Sequence, residues 1–178
     1  MESYSVRELT TGKYITTVGI SDIMLDSEKR RKIFDSKAEA EDVASFCNAT
    51  ISDSFALVKE RKVSIGVNVT GTVYCDDEEE DAYESLYRYE EEDVHGITGN
   101  VDTGALDNVD IDEAEDGGRL YVSGTLLIHA LFPDAATVRD MMDSANDIVA
   151  TIPLGDLEDI HWTFSFINDE SGNSIYAT

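Results

Sequence analysis

The sequence predicts an α+β protein, and three observations carry that prediction. Two long stretches alternate apolar with polar residues at the period of a strand, two others repeat apolar residues at the period of a helix, and Gly-containing turns punctuate them. With 178 residues the chain can bury a real core, as one domain or as a small module joined to a larger one. Hydrophobic residues make up 42% of it, which sets it apart from a disordered acidic tail.

Residues 1–62 read as a small, nearly neutral α+β module. Tyr4, Val6 and Leu9, then Tyr14, Ile15 and Val18, flank Thr11-Gly12 and suit a β-hairpin. A polar loop is expected over 21–31, followed by a short strand at Lys32-Ile33-Phe34. Ser36 with Glu39 forms a capping-box pattern, and Ala40, Val43, Ala44 and Cys47 then give a helix one apolar face that ends near Asn48. Ser54 to Glu60 closes the module as a strand.

Residues 63–178 read as a strongly acidic α+β domain. Val63, Ile65, Val67, Val69 and Val73 alternate, so 63–74 is a long half-buried strand. A helix over 77–91 follows, with Ala82, Tyr83, Leu86, Tyr87 and Tyr89 on one face and Asp77, Glu80, Asp81 and Glu84 on the other. Weaker strands are expected at 94–102 and 106–114, with a hairpin turn at Asp116-Gly117-Gly118. Leu120, Val122, Leu126, Ile128, Ala130 and Phe132 give another long strand, in which Gly124 suggests a bulge. Pro133-Asp134 starts a helix striped by Val138, Met141, Met142, Ala145, Ile148 and Val149, which Pro153 and Gly155 end. The last strand holds Ile160, Trp162, Phe164 and Phe166 inward. This order, β-α-β-β-β-α-β, fits an antiparallel sheet with two helices on one face, similar to a ferredoxin-like fold with an extra strand.

Charge is the largest anomaly, and its placement matters more than its size. The formal net charge is −25. Residues 1–62 hold ten Lys/Arg against eleven Asp/Glu, whereas 63–178 hold three against twenty-seven. Adaptation to high salt would acidify the whole surface, and all six lysines lie before residue 63, so the pattern points to association with something positive. The expected partner-binding carboxylates fall in three groups. The first is Asp76, Asp77, Glu79, Glu80, Asp81 and Glu84, with Glu91, Glu92 and Asp93 beyond them; on a helix, one-turn spacings set such groups about 5–6 Å apart, which approaches phosphate spacing on a nucleic acid. The second, on the hairpin, is Asp110, Asp112, Glu113, Glu115 and Asp116, and the third is the helical stripe Asp140, Asp143 and Asp147. A solvated polar face is the plainer account of any charge run, but three elements carrying acid with almost no lysine exceed what solubility requires. Arg88 is expected to pair with Glu84 and Glu92, and Tyr83, Tyr87 and Tyr89 to cover the sheet.

Other chemistries find little support. Asp110-x-Asp112-x-Ala114 has Glu115 where an EF-hand loop needs glycine, so no metal site is expected. His95, His129 and His161 are single, and no GxGxxG, GxxxxGK[ST], GxSxG or HExxH occurs, so neither catalytic residues nor a cofactor are assigned. Cys47 and Cys75 fit no disulfide framework, and the sequons at Asn48 and Asn68 are chance matches without secretion. No run of about 18 apolar residues and no signal-peptide pattern is present, so neither membrane insertion nor secretion is expected and the expected location is cytoplasmic.

Thr11-Gly12-Lys13-Tyr14-Ile15 and Lys32-Ile33-Phe34-Asp35-Ser36-Lys37-Ala38-Glu39-Ala40, with the local carboxylate excess, resemble small anti-defence proteins of bacteriophages and mobile elements. Acidic members, including type II anti-CRISPR inhibitors and anti-restriction DNA mimics, occupy nucleic-acid-binding surfaces of nucleases. The resemblance implies a non-enzymatic inhibitor in the host bacterial cytoplasm. Its partner would be a basic nucleic-acid-binding protein such as a CRISPR effector, with no direct binding to nucleic acid or membrane and with a homodimer as an allowed assembly. Two rival readings are a viral structural or assembly protein meeting a basic partner, and a metal-dependent hydrolase with Asp/Glu ligands.

Overall fold

Strand pairing organises the chain. The computed structural model describes residues 2–19, 23–74, 101–113, 119–150 and 157–178, so the expected helix over 77–91 and the turn at 116–118 lie outside the described residues. The architecture is α+β with a mostly antiparallel sheet. The described residues form two units, one reaching Lys62 and including Leu131–Ala136, the other holding Val63 onward, Val101–Ala130 and Thr137–Thr178. Among the described residues no helix is long and apolar enough to cross a membrane.

In the first unit β1 (Ser3–Glu8), β2 (Tyr14–Val18) and β3 (Ile23–Asp26) form an antiparallel meander, and β1 pairs on its other side with the start of β4 (Phe55–Tyr74), from Ser3↔Glu60 to Glu8↔Phe55. The turn between β1 and β2 is shaped by Glu8. Its carboxylate accepts hydrogen bonds from the Ser54 hydroxyl at 2.6 Å, the Thr10 and Thr11 backbone N–H groups at 2.9 and 2.7 Å, and the Thr11 hydroxyl. Ser54 first, and then Thr11, hold that carboxyl well below the usual carboxylate range. Gly12, at φ 73°, supplies the left-handed residue the turn needs.

Helix α1 (Lys37–Thr50) starts where Ser36 accepts from the Glu39 backbone N–H, and it buries Ala40, Ala44 and Cys47. These pack with Val6, Ile15, Phe34 and Phe55 as the core of this unit. Three expectations are corrected here. The stretch expected as a polar loop contains β3 and a 3-10 turn at Glu28–Arg30. Lys32-Ile33-Phe34 is no strand: Phe34 alone bridges Tyr4, by reciprocal backbone bonds of 2.8 Å. The strands expected at 54–60 and 63–74 are one continuous β4.

Against the sheet lies a buried polar knot. Arg31 reaches Glu60 through Nε and a terminal nitrogen, both at 2.8 Å, and the side chains keep only 4% and 0% exposure. Ser5 donates to the same carboxylate at 2.5 Å, diagonally across the β1–β4 pairing, and the guanidinium also donates to the Glu28 and Leu131 carbonyls. With both Glu60 oxygens and all three guanidinium nitrogens hydrogen-bonded, the pair tolerates burial, yet removing one partner strands a charge.

The second unit orders its strands β5-β6-β4-β7-β8, with β5 at Val101–Glu113, β6 at Arg119–Pro133, β7 at Glu158–Asp169 and β8 at Ser174–Ala177. The bonds Ser64–His129 and Asn68–Thr125 advance along β4 while retreating along β6, so this pair too is antiparallel. Val63, Ile65, Val67 and Val69 of β4 and Leu120, Val122, Leu126, Ile128 and Ala130 of β6 are buried, which is the alternation the sequence predicts. Helix α2 (Val138–Val149) buries Met141, Ala145, Ile148 and Val149, also as predicted, although it starts at Thr137 rather than at Pro133. The bulge expected at Gly124 is absent from β6, whose alternation runs unbroken; the irregularities lie on β5, between Thr103 and Leu106 and between Asp107 and Asp110.

The inward face of β7 is a further correction. Gly66 pairs with Phe166 but Val67 pairs with Phe164, so Ser165 is an extra residue and the face switches there. Ile167 is therefore buried opposite Ile65, Phe166 lies on the other side over Gly66, and Trp162 remains 36% exposed.

Two stability measurements follow. Glu60→Gln in urea is expected to cost about 3–5 kcal/mol, and the paired apolar replacement Arg31→Met with Glu60→Met to recover most of it; a loss under about 1 kcal/mol for the single change would mean the knot is not sealed. A methyl on Gly66 would sit 2.3 Å from Phe166 Cε1, so Gly66→Ala should cost about 1–3 kcal/mol and Phe166→Leu should offset part of that in the double variant.

Candidate functional site

The carboxylates expected to bind a partner meet different fates. Asp76, Asp77, Glu79, Glu80, Asp81, Glu84, Glu91, Glu92 and Asp93 lie outside the described residues, as do Glu115 and Asp116. The hairpin and helix α2 supply the rest.

Alternation on β6 fixes the geometry. Its even-numbered residues from Leu120 to Ala130 are buried, so Tyr121, Ser123, Thr125, Leu127 and His129 form the outward row. On β5, Asp112 pairs with Tyr121, Asp110 with Ser123, Asp107 with Thr125 and Asp102 with His129. Asp110 and Asp112 are thereby in register with that row. Asp110 and Asp112 are exposed, and two residues along a strand separate their Cα atoms by about 6.6–6.8 Å. The backbone of Glu113 pairs with that of Leu120.

On α2 the stripe Asp140, Asp143 and Asp147 is exposed, but its members are not equivalent. Asp140 closes a capping box: its Oδ2 accepts from the Thr137 backbone N–H and hydroxyl, both at 2.7 Å, while Thr137 Oγ1 accepts from the Asp140 N–H at 3.2 Å. Those Thr137 bonds hold the Asp140 carboxyl below its ordinary value of 3.8. Asp143 faces Arg139 at 3.8 Å across an exposed i, i+4 pair, which contributes little. Asp140 is thus committed to starting the helix, and the stripe is shorter as an interface than its spacing implies.

Three features of this unit escape the sequence-derived list. Tyr121 is 56% exposed at one end of the outward row, across from Asp112; its parity beside Leu120 and Val122 is the signal that could have found it. Trp162 donates its indole N–H to Asn146 of α2 at 3.0 Å, which the expected inward placement hid. Ser64 and His129 Nδ1 are 2.9 Å apart and join β4 to β6 on the outward side. Among the described residues no group of three or more His, Cys, Asp or Glu side chains is arranged to hold a metal ion. Cys47 is buried and unpaired, its thiol pushed up by desolvation.

No protein-family model, curated protein or solved structure matches the chain.

Thr137→Ala tests the division of labour on α2. It should cost about 1 kcal/mol and let the Asp140 carboxyl rise toward its ordinary value in an NMR titration. Because the folded value is the lower one, the contribution is present above about pH 4 and fades as pH falls through the folded value, so wild type and variant should converge in strong acid.

Proposed function

We propose that this chain is a non-enzymatic acidic inhibitor that occupies the basic nucleic-acid-binding surface of a nuclease or another DNA- or RNA-handling protein, with a CRISPR effector as the favoured target class. The carrying observation is the outward row of β5, where Asp110 and Asp112 are exposed in a stretch of chain with twenty-seven acidic residues and three arginines. Carboxylates held by a paired strand stay in place without a partner, so little ordering cost falls on binding. They would displace counterions from an Arg/Lys groove as a nucleic-acid backbone does, giving fast association that weakens steeply with salt.

The nearly neutral first unit is available to discriminate between basic grooves, which charge alone separates poorly. Action in the bacterial cytoplasm and the anti-defence class belong to the same reading. The strand order β7-β4-β6-β5 supports a ferredoxin-like arrangement for the acidic unit.

The test is affinity capture from a bacterial lysate on the immobilised chain, with a salt gradient, duplex DNA as competitor and identification of the retained proteins. Nucleic-acid-binding proteins released both by salt and by DNA are expected, with retention weakened at least tenfold when Asp110, Asp112, Asp143 and Asp147 are all changed to lysine. Retention indifferent to DNA and to these changes would refute the proposal.

A further inference from the structure

We infer that the outward face of the β5–β6 pair, centred on Tyr121, is the surface on which the partner docks, and that it reads arginine in preference to lysine. The inference rests on the basic-partner reading above and names the site and the side chain it recognises. A soluble sheet face ordinarily carries its largest aromatic residues inward, yet Tyr121 keeps more than half its surface in solvent while both its neighbours on β6 are buried. Directly across the strand pair stands Asp112, and diagonally Asp110; such cross-strand neighbours hold their Cβ atoms about 4.5–5.5 Å apart, or about 7–8 Å on the diagonal. A flat cation resting on the phenol ring therefore has a carboxylate within reach at its edge. Guanidinium meets both requirements at once, since it stacks on aromatic faces and pairs with carboxylates through a planar fork, whereas an ammonium group does neither as well. Beyond Tyr121 the row continues with Ser123 and with Thr125, which is hydrogen-bonded to Asn68 at 3.3 Å, a polar rim suited to an interface.

Charge complementarity selects the occupant. Neither Asp110 nor Asp112 has a hydrogen-bond or ion-pair partner among the described residues, in contrast to Asp140, which caps α2, and Asp143, which meets Arg139. Arg119, which begins β6 two positions before Tyr121, is already engaged. Among the described residues no cation meets Asp110 or Asp112, which leaves the place open to a cation from another molecule. A second copy of a chain carrying −25 is repelled, and so is a nucleic acid, which leaves the arginine-rich surface of a protein.

The experiment uses the full chain in its folded state, titrated with nona-arginine and with nona-lysine at matched ionic strength, followed by amide chemical shifts. Nona-arginine is expected to bind about threefold more tightly, with the largest shifts at residues 110–112 and 121–125. Tyr121→Ala should bring the two affinities together by weakening nona-arginine more than nona-lysine, and Tyr121→Phe should keep the preference. Equal affinities, with shifts spread over every acidic segment, would overturn this surface and leave the basic-partner reading standing. If neither peptide binds, both fall. Concentration-dependent shifts at the same residues without peptide would assign the face to a second copy and likewise overturn the inference.

Discussion

Register along the strands decides which side chains of the second unit meet solvent. Because successive residues point to opposite sides, one extra residue in one partner moves everything beyond it to the other face. Ser165 does this on β7, turning Phe166 out over Gly66 and Ile167 in against Ile65. A second shift lies between Thr70 and Thr72, where Asp159 takes a positive φ of 51° that Asp tolerates better than most residues. On β5 the irregularities end before Asp110, and from there regular pairing sets Asp110 and Asp112 across from Ser123 and Tyr121 in the outward row.

The first unit depends on a different device. Arg31 and Glu60 form a pair that an apolar replacement could equal in stability, so strength alone does not explain it. Its geometry is more telling: one guanidinium gathers Glu60 of β4 and the carbonyls of Glu28 and Leu131, while Ser5 of β1 reaches the same carboxylate. Few other arrangements of these segments would satisfy so many buried donors and acceptors together, so the knot selects one packing. Glu8 does the same at the turn, where its hydrogen bonds contribute stability above about pH 4.5 that is lost as pH falls toward the depressed folded value.

Much of this was legible in the residues, for identifiable reasons. Val63 to Val69 and Leu120 to Ala130 alternate without interruption, and α1 behind Ser36 and α2 show clean stripes, so burial and period agree. Where they disagree the reading failed. Ile23, Met24 and Leu25 are too few, and too close to charged residues, to signal β3, which is held by its ladder with β2 and by Ile23 and Leu25 packing against the core of the first unit. The short β8 depends on pairing with β7, which no local pattern announces. No residue pattern marks the bulge at Ser165, so the sequence reading puts Phe166 on the wrong side and Trp162 too deep. Of the expected site, Asp110 and Asp112 are exposed, whereas Asp140 closes a capping box with Thr137 that an expected helix start at Pro133-Asp134 conceals.

The first unit is discontinuous in sequence, and this bears on how the chain comes off the ribosome. Leu131 supplies an acceptor for Arg31, the Asp134 N–H donates to the Lys59 carbonyl, and the Ala136 carbonyl accepts from Arg61. A nascent polypeptide that has emerged only as far as Lys62 holds both halves of the buried ion pair but not the residues that complete their hydrogen bonding. Its amino-terminal part must therefore wait, partly unsatisfied, until about seventy more residues are translated, and the module that looks earliest in the sequence is among the last to finish folding.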